Sequence, residues 1–169
     1  MLSRTVLHAR WSVPVFLLAI AVISLGSAYI AEYGFGLKPC VLCLYQRIPY
    51  AVIGLIAILG LLLSHSIPCH RCLLFFSALT FLTGASIAGY HVGVEYHWWE
   101  GPGCGGGGLG ATIDELKSII MDAPSVRCDQ PAFVFLGLSM AGWNFFYSLG
   151  LALLCILWYK ALPRDGSTT

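Results

Sequence analysis

Four long apolar blocks constrain this chain more than any other feature of its sequence. They cover residues 11–31, 48–63, 73–90 and 140–159, and none of them contains Asp, Glu, Lys or Arg. An α-helix of roughly 20 residues crosses the hydrocarbon core of a bilayer. The chain is 58% hydrophobic and 10% charged, whereas soluble domains carry about 25% charged residues. We therefore predict an all-α fold, a four-helix transmembrane bundle that forms a single membrane domain over residues 1–169.

The sequence disfavours both a nucleic-acid-binding protein and a cleaved signal peptide. The chain has no cluster of basic residues, so we expect no nucleic-acid partner. The first apolar block begins after basic residues, as a signal peptide would, but it is longer than the usual apolar core of such a peptide. No A-x-A cleavage site follows it, so we expect this block to remain as a transmembrane helix.

The distribution of positive charge predicts the orientation. The termini and the short loop at 64–72 hold Arg4, Arg10, Arg71, Lys160 and Arg164. On the other side, loop 32–47 carries only Lys38 and Arg47, and loop 92–132 is too long to count strongly in the positive-inside rule. We therefore expect cytoplasmic termini and two loops, 32–47 and 92–132, outside the cytoplasm.

A C-x-x-C pair lies in the first outer loop, in the stretch "LKPCVLCLYQRIPY". If the second helix starts near Val41, Cys43 lies in its first turn and Arg47 lies one turn later on the same face. A helix N-terminus and a neighbouring arginine both favour the thiolate, which is the form that attacks disulfides and donates electrons. Zinc usually needs four ligands, and Arg47 would repel a cation. We therefore interpret Cys40 and Cys43 as a redox pair and predict no metal site.

The second outer loop holds two more cysteines, Cys104 and Cys128. Six glycines within residues 101–108 surround Cys104 with permissive backbone, which suits either a cysteine that changes partners or a plain flexible linker. Between the two cysteines, the T-x-x-E capping box of Thr112 and Glu115 starts a short amphipathic segment. We predict that this segment is a helix lying on the membrane surface.

These residues resemble a known family. The stretch "KPCVLCLYQRIPY" is similar to the signature of the DsbB family of disulfide bond formation proteins. The four predicted spans, the second cysteine pair, the surface helix between its cysteines and "FLGLSMAGWN" before the last span agree with that family. The resemblance covers nearly the whole chain.

The resemblance implies a quinone-dependent thiol oxidase of the bacterial inner membrane, with its redox loops in the periplasm. A periplasmic DsbA-like thioredoxin-fold oxidase would attack a Cys104–Cys128 bridge at Cys104. Electrons would then pass to a Cys40–Cys43 bridge, and Cys43 would reduce ubiquinone or menaquinone.

The resemblance also implies quinone-binding residues. Arg47 would stabilise the negative charge on the quinone. His91, at the outer end of the third span, corresponds to a family position near the quinone headgroup, although a hydrated interfacial histidine would explain it equally well.

Three cysteines fall outside this scheme. Cys69 and Cys72 of "PCHRC" face the cytoplasm in the predicted orientation, where thiols stay reduced, and we interpret them as idle thiols. Cys155 lies within the last span and is interpreted as a small apolar packing residue.

Three other functions remain as alternatives. A quinone-linked enzyme of the vitamin K epoxide reductase type would carry its active cysteine pair late in the chain rather than between the first two spans. A membrane metal carrier would place cysteine or methionine ligands within its spans, and the chain has only three methionines. A purely structural membrane protein would use the outer cysteines as stabilising bridges.

Overall fold

The computed structural model describes residues 2–63, 67–101 and 127–162, with side chains from 11–63, 69–101 and 127–162. Within these ranges, four helices are long and apolar enough to cross a membrane, which confirms the predicted all-α transmembrane bundle. The helices are α1 (Leu2–Tyr29), α2 (Val41–Leu63), α3 (Ile67–Glu95) and α4 (Met140–Ala161). The predicted surface helix and Cys104 lie outside the described residues.

Small residues let the helices approach closely. A Cβ atom placed on Gly84 of α3 would lie 3.4 Å from Cβ of Pro49 in α2 and 3.5 Å from Oγ of Ser148 in α4. A Cβ atom on Gly54 would lie 3.5 Å from Cβ of Ala21. Inside a bilayer, helices associate through such close packing, because lipid tails are as apolar as the side chains and water exclusion contributes little.

Large side chains fill the space between these contacts. Leu17 of α1, Ile53 of α2, and Leu74 and Phe81 of α3 are almost completely buried. Helix α3 packs most extensively against α4, and α2 packs against both α1 and α3. Many large apolar side chains of the described helices are exposed on the outside of the bundle, which suits contact with lipid tails.

Two short features shape one end of the bundle, which we call the Cys40 end. Residues Ile30–Gly34 continue α1 as a π-helical turn. Before α4, the strands β1 (Val134–Phe135) and β2 (Leu138–Ser139) form a small antiparallel hairpin. The Ser139 hydroxyl accepts a hydrogen bond from the Gly142 amide at 3.0 Å and caps α4, so the hairpin determines where α4 begins.

At the opposite end, Arg71 ties the start of α3 to the end of α4. Its guanidinium donates hydrogen bonds to the backbone carbonyls of Tyr159 at 3.2 Å and Leu162 at 2.9 Å. These carbonyls lie at the C-terminus of α4, in its last turn and at its C-cap residue, where a cation is favourable. Cys69 and Cys72 lie in the same part of α3, at the other end of the helix from His91.

Candidate active site

The N-terminus of α2 organises the first cysteine pair. Cys40 precedes the helix, and its carbonyl accepts a hydrogen bond from the Leu44 amide at 3.1 Å. Its sulfur accepts a hydrogen bond from the Cys43 amide at 3.4 Å, so Cys40 occupies the N-cap position. The two sulfurs lie 3.1 Å apart. Both residues are thiols here, and their sulfurs need to move only about 1 Å closer to form a disulfide bond.

Cys40 holds its proton firmly. The hydrogen bond that its thiol shares with Cys43 and the burial of its side chain raise the pKa of Cys40 from 9.0 to about 11. Because Cys40 donates this hydrogen bond, Cys43 is the sulfur that receives it. The arrangement favours negative charge on Cys43 rather than on Cys40, and negative charge is what activates a thiol as a nucleophile.

Cys128, from the segment between α3 and α4, reaches the same helix terminus. It is only 2% exposed and packs with Cys40, Leu42 and Val94 in a small apolar cluster. Burial raises the pKa of Cys128, while the backbone amides of Leu42 and Val41 partly offset that rise. Its thiol also contacts Cys40. The fold therefore brings together three of the four cysteines that were predicted to act in sequence.

His91 lies behind the cysteine pair. It is 4% exposed, and its Nε2 is 3.6 Å from the sulfur of Cys40. The Gln46 amide donates a hydrogen bond to Nδ1 at 2.8 Å, so the proton of a neutral ring sits on Nε2 and faces the sulfur. The carboxylate of Glu95 lies 3.8 Å from the same Nε2. Among the described residues, His91 thus contacts the Cys40 thiol, the Gln46 amide and the Glu95 carboxylate.

A hydrogen-bonded network extends from Gln46 across the bundle. The Asn144 amide of α4 donates to Oε1 of Gln46 at 2.6 Å. The Tyr50 hydroxyl donates to Oδ1 of Asn144 at 2.5 Å and lies 2.9 Å from the Ser148 hydroxyl. Buried polar groups are costly without partners, and this network supplies partners for side chains of α2, α3 and α4 at once.

Arg47 is held by groups from α1 and the π-helical turn. Its Nη1 donates to Oε2 of Glu32 at 2.6 Å, and its guanidinium carbon lies 5.0 Å from the ring centre of Tyr29. The carboxylate balances the charge of Arg47, and the aromatic face adds a cation–π contact. Arg47 is thus fixed one helical turn from Cys43 with one side of its guanidinium engaged.

A cavity of about 270 Å³, which we call the Cys43 cavity, lies at the Cys40 end between α1, α2 and α4. Its walls are mainly apolar and include Leu25, Ala28, Met140 and Ala141. The polar groups on its walls are Cys43, Arg47, Gln46, Asn144, Tyr50, Ser24 and Ser27, together with Lys38. One thiol of the C-x-x-C pair, two cationic side chains and several hydrogen-bonding groups therefore converge on a mostly apolar cavity.

A larger groove of about 640 Å³ lies between α2 and α3, but it lacks these groups. Its hydroxyl groups at Thr80, Thr83 and Ser86 already donate to carbonyls one turn earlier in α3. No cysteine and no charged residue lines it among the described residues. The groove is larger than the Cys43 cavity, but its apolar lining suits lipid chains.

Comparison with known proteins agrees with this geometry. The family model described as "Disulfide bond formation protein DsbB" matches residues 10–158. The chain belongs to the DsbB family. Membership supports a role in disulfide bond formation, and it identifies this multi-pass membrane protein as a disulfide-forming oxidoreductase.

Individual relatives of this DsbB-family chain cover most of its length. It is 31% identical to disulfide bond formation protein B of Acinetobacter baumannii, over 83% of this chain and 85% of the relative. It is 34% identical to a protein of the same name from Xylella fastidiosa Temecula1, over 72% and 73% of the two chains. An uncharacterized protein of Rickettsia prowazekii is 30% identical over 80% and 79%. No solved structure matches the chain significantly.

Several site residues of this DsbB-family protein were not predicted from its sequence. Four residues contact predicted site residues or line the Cys43 cavity, namely Glu32, Gln46, Asn144 and Tyr50. Glu32 was detectable as the one acidic residue of loop 32–47, since a loop arginine often pairs with a nearby carboxylate. Asn144 lies 98 residues from Gln46 in the chain, and no spacing rule connects two residues so far apart.

Proposed function

We propose that this protein passes two electrons from the Cys40–Cys43 thiol pair to a membrane quinone and so regenerates a periplasmic DsbA-like oxidase. The observation that carries the proposal is the cavity that Cys43 and Arg47 share. A thiol that must react with a lipid-dissolved oxidant has to lie at the edge of the membrane, and Cys43 is the third residue of a transmembrane helix.

The cavity fits a quinone headgroup, either ubiquinone or menaquinone. Its apolar walls suit the ring and the start of the isoprenoid tail, and Arg47 offers a charge-assisted donor for a carbonyl oxygen. The Ser24 hydroxyl is buried and has no hydrogen-bond partner in the described part of the chain, so it can donate to a second oxygen. A bound quinone supplies an acceptor for two electrons and two protons.

The sulfur positions favour one order of thiol exchange. The Cys128 thiolate, released when a DsbA-like partner attacks a Cys104–Cys128 bridge, lies against Cys40. Its attack on the Cys40 sulfur of a Cys40–Cys43 bridge forms a Cys128–Cys40 bond and releases the Cys43 thiolate beside the cavity. The second thiol of the partner attacks the mixed disulfide with Cys104, which leaves the partner oxidised and frees the Cys104 thiolate. That thiolate then attacks Cys128 in the Cys128–Cys40 bond, so the loop bridge re-forms, the Cys40 thiol is released and the Cys40–Cys43 dithiol is left with both electrons.

Gln46 and His91 support this dithiol. Gln46 keeps the proton of His91 on Nε2, and that N–H points at the Cys40 sulfur. The contact stabilises negative charge whenever Cys40 becomes a leaving group. We therefore assign His91 to the control of Cys40, in place of direct contact with the quinone headgroup.

The proposal places the protein in the bacterial inner membrane. The distribution of arginine and lysine favours cytoplasmic termini, which leaves the Cys40 end and the loops of Cys104 and Cys128 in the periplasm. Disulfides persist in that compartment, and a soluble oxidase can reach Cys104 there.

Photolabelling with an azido analogue of ubiquinone tests the quinone site. We expect labelled peptides from residues 24–31, 43–50 and 140–147, which line the Cys43 cavity, and at least a tenfold loss of labelling in Arg47→Gln. Thr83→Val, in the larger groove, is the matched control and should label normally. Labelling confined to residues 76–90 would place the quinone in that groove and overturn the proposal.

A further inference from the structure

The reduced site has the ligand set of a thiophilic metal ion. The sulfurs of Cys40 and Cys43 and Nε2 of His91 all lie within 4.8 Å of one another. The two sulfurs are 3.1 Å apart, and the Cys40 sulfur is 3.6 Å from Nε2. Tetrahedral zinc with bonds of about 2.3 Å to sulfur and about 2.0 Å to nitrogen needs separations of about 3.8 Å and about 3.5 Å. Small side-chain shifts satisfy both.

The surrounding charges also permit a cation. From the sequence we expected Arg47 to repel a metal ion near Cys43. In the structure, Arg47 donates a hydrogen bond to Glu32 at 2.6 Å, and this carboxylate balances its charge. The Glu95 carboxylate lies 3.8 Å from the proposed His91 ligand atom. Two deprotonated thiols and this carboxylate would leave the site negatively charged.

A side chain that can orient the histidine ligand lies next to it. Metal-bound histidines usually donate their other ring N–H to an oxygen, and Gln46 contacts Nδ1 of His91 at 2.8 Å. If the carboxamide of Gln46 rotates by 180°, its Oε1 faces Nδ1 of His91 and accepts a hydrogen bond from a proton on that nitrogen. The carboxamide of Asn144 rotates with it, so that its oxygen accepts from the Gln46 amide. The network keeps its hydrogen bonds, and Nε2 is free to bind the ion.

We propose that the reduced protein binds one thiophilic divalent cation, Zn²⁺ or Cd²⁺, through Cys40, Cys43 and His91. Binding converts the two thiols to metal-bound thiolates and releases two protons to solvent, with no change in oxidation state. The fourth position is taken by water, reached from the cavity that Cys43 lines. Oxidation to the Cys40–Cys43 disulfide removes both thiolates, so the same site releases the ion.

The proposal predicts a redox-dependent inhibition. It rests on the proposed thiol pair but not on quinone chemistry, because metal binding can be measured without quinone. A metal-bound dithiol lacks the free thiolate that donates electrons. Cd²⁺ should therefore block the reduced protein, and the oxidised protein should be unaffected.

Cadmium titration of the full chain tests this site. A Cys69→Ser/Cys72→Ser/Cys104→Ser/Cys128→Ser background keeps Cys40, Cys43 and His91 and removes the other outer and cytoplasmic thiols. After reduction and removal of the reductant, we expect one Cd²⁺ per chain, a thiolate-to-metal charge-transfer band and two protons released. The disulfide form should bind none.

Ligand variants make the test specific. In the same background, His91→Gln should weaken Cd²⁺ binding at least tenfold, and Cys43→Ser should abolish the charge-transfer band of the pair. Helical circular dichroism verifies that each variant is folded. Equal affinity in His91→Gln, or equal binding by the disulfide form, would overturn the proposal. Normal metal binding without quinone reduction would contradict only the proposed function, and the converse result would contradict only the metal site.

Discussion

Arg47 is the residue whose role depends most on its immediate neighbours. Glu32 holds one side of the guanidinium at 2.6 Å, and Tyr29 covers it at 5.0 Å, so its position relative to the Cys43 cavity is preset. A preset cation loses little freedom when a ligand oxygen arrives, and preorganisation of this kind strengthens binding.

We predict that Arg47→Gln leaves the disulfides intact but slows quinone reduction more than tenfold. A hydrogen bond to a charged group contributes about 1.5–3 kcal/mol, which corresponds to roughly a 10- to 150-fold change. Arg47→Lys should not restore the rate, because an ammonium group lacks the planar fork. Stopped-flow kinetics of quinone reduction measure the effect.

The control for this prediction is Glu32→Gln. This variant keeps Arg47 and removes only the carboxylate that pairs with it. It should therefore slow quinone reduction less than Arg47→Gln does. Wild-type kinetics in Arg47→Gln would remove Arg47 from the quinone site.

The protonation of Cys40 gives a second prediction at this scale. Alkylation of Cys40 in the reduced protein should follow a pH profile centred near its pKa of about 11, whereas an ordinary thiol has a pKa of 9.0. Because folding raises this pKa, the stability contributed by the protonated thiol is present below pH 9.0 and is lost as pH rises towards about 11.

Replacing the hydrogen-bond partner supplies the test. In Cys43→Ala the profile of Cys40 should move to lower pH but stay above the ordinary value, since burial remains. Mass spectrometry of iodoacetamide-treated protein measures both profiles. An identical profile in Cys43→Ala would show that the Cys43 contact does not hold the proton.

At the scale of elements, the site depends on how closely α3 approaches α2 and α4. His91 is on α3, its partner Gln46 is on α2, and Asn144 of α4 completes the network. Gly84 lies where these helices meet, with Pro49 and Ser148 at ordinary van der Waals distance from its would-be Cβ atom.

We predict that Gly84→Leu destabilises the bundle by about 1–3 kcal/mol, the usual effect of overpacking a well-filled interior. Gly150→Leu is the matched control, because no atom lies within 4 Å of a Cβ atom placed on Gly150. Thermal unfolding in detergent should show a lower midpoint for Gly84→Leu alone. Equal midpoints for the two variants would mean that the close approach at Gly84 is not required.

Helix positions followed from the sequence more readily than the contacts within the site. The apolar blocks predict the four helices because a bilayer imposes both length and composition. The start of α2 at Val41 was also expected, and it places Cys43 in the first turn.

The network of Gln46, Asn144 and Tyr50 could not be predicted in this way. It depends on how three helices are rotated against one another, and single polar residues within apolar blocks carry no signal of their partners. The π-helical turn at Ile30–Gly34 likewise has no sequence rule, yet it carries Glu32 to Arg47.

At the scale of the whole molecule, the thiol chemistry is concentrated at one end of the bundle. Cys40, Cys43 and Cys128 meet at the start of α2, while Cys69 and Cys72 lie at the far end of α3. The two ends of a spanning bundle are on the order of 30 Å apart. Thiol exchange requires direct contact between sulfurs, so the second C-x-x-C pair is expected to be idle in electron transfer.

We predict that Cys128→Ser accumulates a covalent complex with a thioredoxin-fold periplasmic oxidase through Cys104. The variant keeps the thiol that the partner attacks and removes the one that resolves the mixed disulfide. Non-reducing electrophoresis followed by mass spectrometry identifies the linked residues. The same complex in Cys104→Ser would show that the partner attacks a different cysteine.

The most direct test of the central claim is quinone reduction by the fully reduced, quinone-free protein in the absence of oxygen. Added ubiquinone should yield one quinol for every two thiols lost, with the loss confined to Cys40 and Cys43 and to the Cys104 and Cys128 thiols that exchange with their new disulfide. Cys69→Ser/Cys72→Ser should give the same yield, and Cys43→Ser should give none. Cys40 and Cys43 thiols that remain reduced in the presence of quinone, or quinol formed by Cys43→Ser, would contradict the account.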